Sequence, residues 1–326
     1  MHRYCKWEIN GKLNCKNVKK NMLKNGKQLK KRRKSVPSII PFARRIIAIG
    51  DLHGDLEKII SIFKKAKLIK KFRKSWKWIG EDTHVVQIGD QIDYGGRSVD
   101  YKDYSKELEV INFLDIMNLK AIKHKGAVIS LLGNHELMNV TGNFHYVSNK
   151  GVSDFINQQI RQKSFAPGGI IAKHFAYTRN VIVKIGKWVF VHAGILPYWA
   201  KNYKIIDLNN LIKDYLLGNK SINDKLIQRI VMNTHNDSFL WTREYGYSAN
   251  NDCCQKLNLA LKYLNANAMV VGHSIQNNIK SLCNNKLWLI DVGLSKCFKN
   301  VGAKRIQVLE IIHNPDGSVK TIKVIK

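Results

Sequence analysis

Five times along this chain an apolar run stops beside a side chain able to bind a metal ion. Residues 45–49 (RIIAI), 84–88 (HVVQI) and 127–132 (AVISLL) stop at Gly50-Asp51, Gly89-Asp90 and Gly133-Asn134. A hairpin over 180–191, turning at Gly186-Lys187, stops at His192, and the run 268–271 stops at Gly272-His273. Short apolar runs bounded by such turns read as buried strands. In sheet-based α/β proteins the carboxyl ends of the strands meet at one crevice, and a strand end holds a side chain on a rigid element. The pattern therefore predicts an α/β fold that gathers Asp51, His53, Asp90, Asn134, His192 and His273. This mixed oxygen and nitrogen set suits manganese, iron or zinc rather than calcium. It contains no thiolate, which argues against a structural zinc. Taken singly, each residue has a simpler explanation: an Asp after Gly is commonly a turn residue, and a lone His commonly sits satisfied in a core. Their order and their shared strand-end position favour a metal centre.

Elsewhere, Leu56, Ile59, Ile60, Phe63 and Ala66 recur at helical spacing, as do Leu257, Leu261 and Leu264. The tail carries strand patterns at 287–290 and 305–311 and a last hairpin that turns at 314–317 and runs out through 319–325. Residues 198–240 show helical stretches (Leu208, Leu211, Ile212, Tyr215, Leu216) and few strand signals, and read as a helical insertion beside the site. Residues 1–42 read as a flexible basic leader dispensable for hydrolysis, and 43–326 as the catalytic domain.

Charge is the unusual feature of the composition: 55 Lys+Arg against 24 Asp+Glu, a formal +31. Such a balance suits polyanionic partners: nucleic acid bound weakly through the basic surface, an acidic membrane face, or acidic or phosphorylated protein, although lysines scattered along a whole chain also follow from genome composition. Only 30–34 (KKRRK) reads as a dense run, a nuclear-import or nucleic-acid candidate that is more often a solvated tail. No stretch of eighteen apolar residues occurs, which argues against a membrane span. The polar, basic start argues against a signal peptide. The expected location is cytoplasmic, with the nucleus as the alternative. The cysteines (Cys5, Cys15, Cys253, Cys254, Cys283, Cys297) show no C-x-x-C spacing and are expected as reduced thiols.

The strings around the strand ends narrow the reading. Gly50-Asp51-Leu52-His53-Gly54, Gly89-Asp90-Gln91-Ile92-Asp93, Gly133-Asn134-His135-Glu136, His192-Ala193-Gly194 and Gly272-His273 resemble the ordered blocks of calcineurin-like metallophosphoesterases. GNHELMNVTGNFHY from Gly133, APGGIIAKHF from Ala166, LWTR from Leu240 and IDVGLS from Ile290 resemble the Shewanella-like protein phosphatases, a bacterial-type branch of the phosphoprotein phosphatases. The resemblance spans about 45–311. It implies two packed mixed β-sheets flanked by helices and a centre of two divalent or mixed-valence ions, manganese first, iron or zinc as alternatives. Asp51 and His53 would hold one ion, Asp90 would bridge, and Asn134, His192 and His273 would hold the other. It implies hydrolysis of phosphomonoesters on a phosphorylated protein, by direct attack of a metal-bridging hydroxide. His135, one residue past Asn134, stands at the mouth as the general acid, with Asp93 to accept its second ring N–H; the resemblance implies the same pair.

One block departs from the pattern. Phosphoprotein phosphatases read Gly-Asp-x-x-Asp-Arg-Gly where this chain has Gly89 to Gly95 with Tyr94 in the Arg position. A neutral phenol cannot replace a guanidinium clamp on phosphate. Phosphate binding then falls to Arg243 alone, and weakly, or to Arg97 swung back on the flexible Gly95-Gly96 pair, which the two glycines favour; the simpler explanation of Arg97 is a solvated surface residue. Two other functions fit the same residues: a nucleotidase, diadenosine polyphosphate hydrolase or nuclease on the same dimetal centre, and a basic nucleic-acid-binding module whose site has decayed.

Overall fold

The structure is a computed structural model. It describes residues 36–73, 75–96, 102–246, 251–298 and 306–326, together with the backbone of Lys6–Trp7 and Leu13–Asn14. In chain order the elements are β1 (Lys6–Trp7), β2 (Leu13–Asn14), β3 (Ile39–Ile40), β4 (Arg45–Ile49), α1 (Leu56–Lys65), β5 (Ile69–Phe72), β6 (Ser75–Trp78), β7 (His84–Gln87), α2 (Glu107–Ala121), β8 (Ala127–Leu131) and α3 (Asn134–Val140). There follow α4 (Asn149–Ser153), α5 (Gln158–Phe165), α6 (Ile170–Thr178), β9 (Arg179–Asn180), β10 (Ile182–Ile185), β11 (Trp188–Val191), α7 (Pro197–Asn202), α8 (Ile205–Leu217) and α9 (Lys225–Val231). The last are α10 (Asn251–Tyr263), β12 (Ala268–Val271), β13 (Lys280–Leu282), β14 (Leu287–Leu289), β15 (Val308–His313) and β16 (Val319–Ile325).

Two six-stranded mixed sheets result, in the orders β16-β15-β4-β7-β8-β9 and β13-β14-β12-β11-β10-β3. β4, β7 and β8 run parallel in the first, and β11, β12 and β14 run parallel in the second. The apolar runs are continuous rather than alternating because both faces of the second sheet are covered. Phe190, Val270 and Trp288 face a core shared with Ile46, Val85 and Phe63. Their neighbours Val189, Val191, Val271 and Leu289 face a different core, filled by Trp199, Ile212, Ile230, Leu257 and other helical residues between 155 and 264. Successive strand residues point to opposite faces, so one run feeds two cores. The parallel strands of both sheets end on the same side, and that seam is where the five sequence blocks lie.

The thiol expectation is corrected by the structure. Cys254 in the first turn of α10 and Cys283 in the β13–β14 turn form a disulfide, with Cα atoms 5.4 Å apart. Their separation of 29 residues gives no sequence motif; tertiary packing alone brings them together. Cys253 and Cys297 are free and buried, and Cys5 and Cys15 lie outside the described residues. Among the described residues no helix is long and apolar enough to cross a membrane.

The stretch read as a leader runs into a sheet. β3 pairs in parallel with β10, Lys184 N–H donates to Ser38 O at 3.0 Å, and Asn180 Nδ2 donates to Pro37 O at 3.1 Å. We therefore expect removal of residues 1–35 to leave hydrolysis of a small phosphate ester intact. Removal through residue 42 should lower Tm by a few degrees, since each kcal/mol lost shifts a domain of this size by about 1–2 °C. Equal melting of the two truncations would show that β3 contributes nothing.

Candidate metal centre

The glycines before the site residues have a steric reason. A Cβ on Gly272 would stand 2.5 Å from Asp51 Oδ1, and one on Gly133 would collide with Asp90 Oδ1. Each carboxylate is thus seated against bare backbone of a neighbouring strand end. His53, Asp90, Asp93 and His273 all have positive φ, between 42° and 68°. Non-glycine residues in that region are strained, and such strain concentrates at functional sites.

Hydrogen bonds orient each imidazole. His53 Nδ1 donates to Ile92 O and Asp93 O, each at 3.1 Å, and turns Nε2 toward Asp90. His192 Nδ1 donates to Ile88 O at 3.0 Å, and His273 Nε2 donates to Trp241 O at 3.1 Å. Backbone partners of this kind fix the tautomer of metal-binding histidines. Two sets of donor atoms result, His53–Asp90–His135 and Asp90–His192–His273, each within 4.8 Å and sharing Asp90. Asp51 and Asn134 complete the group.

The donor chemistry fits cations. With its Nδ1 proton committed to Ile88, His192 Nε2 presents a lone pair, yet it faces Asn134 Oδ1 at 2.9 Å and Asp90 Oδ2 at 3.4 Å. Without an ion, only a second proton on His192 can serve these oxygens, and although burial opposes it Asp90 pushes that imidazole up; a bound cation takes the proton's place. Asp51 Oδ1 is buried and has no hydrogen-bond partner, a cost that a bound ion removes. Burial and the neighbouring Asp291 and Asp90 carboxylates push the Asp51 carboxyl well above its usual range. Burial also opposes the charge of Asp90, but the imidazoles of His192 and His135 outweigh it and hold that carboxyl well below. Burial, with His192 and Arg243 nearby, pushes His273 well below the usual imidazole value, which leaves the ring neutral, as metal binding requires.

Within the first set His135 differs from His53: its Nδ1 donates to a carboxylate, Asp93 Oδ2 at 2.8 Å, rather than to backbone, and its Nε2, 3.8 Å from Asp90 Oδ2, stands at the cleft wall. The site opens into a cleft of about 590 Å³ whose wall includes Tyr146, Trp241, Arg243 and Phe298. Arg243 Nη1 donates to His273 O at 3.1 Å and to Ser274 Oγ at 3.2 Å, so its guanidinium is braced at the rim. Tyr94 is buried at 1% exposure and does not line the cleft. Gly96 does line it, and Arg97 lies outside the described residues.

Sequence reasoning missed several residues here. Asp291 lines the cleft, and burial pushes its carboxyl up to about 6. It follows β14, a strand parallel to β12, so it ends a sixth apolar run and the same signal could have flagged it. Glu136 accepts from the backbone N–H groups of Asp90, Gln91 and Gly133 at 2.7–2.9 Å and locks the second and third blocks together. Below the dyad, Asn139 Nδ2 donates to both Asp93 oxygens at 2.9 and 3.0 Å, and Arg161 Nε donates to Asn139 Oδ1 at 2.9 Å. Arg161 is fully buried and paired with Glu107 at 2.8 Å.

The calcineurin-like phosphoesterase family profile matches residues 44–277. Shewanella-like protein phosphatase 2 of Arabidopsis thaliana is 31% identical over 297 residues, 77% of this chain and 72% of that protein. Shewanella-like protein phosphatase 1 of Plasmodium berghei is 31% identical over 293 residues, 86% of this chain and 74% of that protein. Among solved structures, a cold-active protein-tyrosine phosphatase of a psychrophilic Shewanella has the same fold, with a TM-score of 0.70 at 22% identity over 90% of this chain and 83% of that one.

Proposed function

The chain belongs to the calcineurin-like phosphoesterase family and groups there with the Shewanella-like protein phosphatases, and from that premise we propose that it hydrolyses phosphomonoesters on phosphorylated proteins with two divalent ions, manganese first and iron or zinc as alternatives. The observation that carries this reading is the convergence of His192 Nε2, Asn134 Oδ1 and Asp90 Oδ2 on one point beside the His135–Asp93 pair. Asp51 and His53 would hold one ion, Asn134, His192 and His273 the other, and Asp90 both. Ions bound there supply Lewis-acid charge against the phosphoryl oxygens and lower the pKa of a water molecule. The chain's own residues do the rest. Water adds to phosphorus and gives up a proton as the ester P–O bond breaks; the leaving oxygen takes a proton from His135 Nε2, and the proton released by the water restores the ring. Asp93 holds the ring through Nδ1–H, so the proton is presented toward the cleft. Arg243 would clamp the phosphoryl oxygens from the rim, and Arg97 remains a second candidate.

The test is a panel of phosphopeptide, diadenosine polyphosphate and single-stranded DNA, assayed with manganese and with chelator. Turnover of phosphopeptide that needs the metal supports the reading; preference for the dinucleotide or for DNA assigns the site to nucleotide chemistry, and metal-independent turnover refutes the centre. Arg243→Ala should raise KM for phosphopeptide and weaken inhibition by free phosphate by about tenfold or more, in line with the loss of one charge-assisted bidentate contact. If both constants stay put, Arg97 becomes the anchor to examine.

A further inference from the structure

Between Lys58 and Gly80 the chain carries nine lysines and arginines and no carboxylate. The sequence reading passed over this run because apolar residues separate its cations; the structure gathers them. The root of the β5–β6 hairpin is anchored, with Ile69 and Trp78 buried and Trp78 Nε1 donating to Glu81 O at 2.9 Å. Past the root β5 loses the alternation of buried and exposed residues, and Lys70, Lys71, Phe72, Arg73 and Lys77 all face solvent. β6 keeps the alternation and rests on the body through the half-buried Trp76, whose carbonyl accepts from Lys120 Nζ. Phe72, 53% exposed at the turn, has Arg73 stacked over its ring at 5.5 Å.

Exposed lysines at the end of α1 and just past α2 extend the cationic field on both sides of the hairpin. The nearby acids Glu81 and Asp82 are engaged by Arg44. Among the described residues none of the hairpin cations forms an ion pair with a carboxylate. The charge is therefore left uncompensated toward solvent.

We propose that this hairpin docks the protein on an anionic phospholipid surface. A lone exposed aromatic at a turn, ringed by cations, suits an interface: the ring enters the headgroup region while the long cationic stems reach phosphate. Single-stranded nucleic acid needs several aromatic faces in a row along a cationic groove; here Trp78 is buried and Trp76 half-buried. Arg45 Nη2 donates to Ala66 O at 2.9 Å, which fixes the hairpin's base at the start of β4, whereas Asp51 and His53 follow its end. The docked face thus lies a strand length from the cleft, on the order of 15 Å, and leaves the cleft open to substrate.

The experiment is co-sedimentation of the full chain with vesicles of phosphatidylcholine alone and of phosphatidylcholine with phosphatidylserine, over a range of salt. Binding should require phosphatidylserine and fall with salt. Each cation near such a surface is worth about fivefold in partition, so the triple variant Lys70→Glu, Lys71→Glu, Lys77→Glu should lose at least about a hundredfold. Phe72→Ser should weaken partition at unchanged salt slope. Turnover of a small phosphate ester checks that both variants are folded; because the hairpin lies off the cleft, this readout separates the docking proposal from the catalytic one. Equal binding to neutral vesicles, no effect of the hairpin variants, or tighter hairpin-dependent binding to single-stranded DNA or RNA than to phosphatidylserine would each overturn the proposal.

Discussion

Replacing Asp90 by Asn is expected to lower turnover by about three orders of magnitude or more while leaving the fold in place. The geometry explains the size of the effect. Asp90 Oδ1 accepts from the backbone N–H of His135 at 3.0 Å, which leaves Oδ2 to face three imidazoles: His192 Nε2 at 3.4 Å, His135 Nε2 at 3.8 Å and His53 Nε2 at 3.9 Å. It is the atom common to both donor sets, so neutralising it weakens both cation positions at once. Lewis-acid stabilisation of a transferring phosphoryl group is worth several kcal/mol, and about 4 kcal/mol is a factor of a thousand in rate. The substitution is well suited to isolate charge. Asp90 sits at φ 52°, a region that Asn tolerates better than most residues, and the amide oxygen can still accept from His135 N–H. Metal content by elemental analysis should fall with activity, and Tm in chelator should match that of the parent chain. An Asp90→Asn protein with parental turnover would remove the bridging role altogether.

How much of this was legible beforehand follows from where each signal resides. The pairs of glycine and candidate ligand were visible because one local cause, a side chain seated against bare backbone at a strand end, writes itself into two adjacent letters. The hairpin turning at Gly186 was visible for the same reason: the pairing Ile185–Trp188 needs only a tight turn between two apolar runs. Arg161 was not visible. Nothing within α5 distinguishes it from its neighbours Gln162 and Lys163; it is set apart only by burial against Phe155 and Phe165 and by Glu107, which lies on another helix. The disulfide and the cationic hairpin failed in a similar way, since each depends on which elements the fold lays side by side. Tyr94 shows the limit of motif comparison. The departure from Arg was plain in the letters, but that this ring turns into the core rather than the cleft needed coordinates.

The buried scaffold beneath the cleft gives the second large effect. His135→Asn is expected to keep both metal positions, because the ring's Nδ1 is committed to Asp93 and its neighbour Asn134 is oriented independently, with Nδ2 donating to Met138 Sδ at 3.8 Å. What is lost is a proton donor at the leaving oxygen, typically worth about a hundred- to ten-thousand-fold. The loss should scale with the leaving group: large for an alkyl phosphate, whose alkoxide is strongly basic, and small for a nitrophenyl phosphate, whose phenolate departs without help. That contrast separates an acid from a merely structural histidine, which would slow both substrates alike. The scaffold predicts a graded companion. Asn139 donates to both oxygens of Asp93 and is itself held by Arg161, so the dyad rests on a buried amide and guanidinium rather than on solvent. Asn139→Ala should therefore cost about ten- to a hundredfold, the range seen when an outer hydrogen-bond partner of a site is removed, with the same bias toward alkyl substrates and no change in metal content. Equal losses on alkyl and aryl esters in the His135 variant would assign the leaving-group proton to another donor, and Asn139 would then be a packing residue whose loss shows in Tm alone.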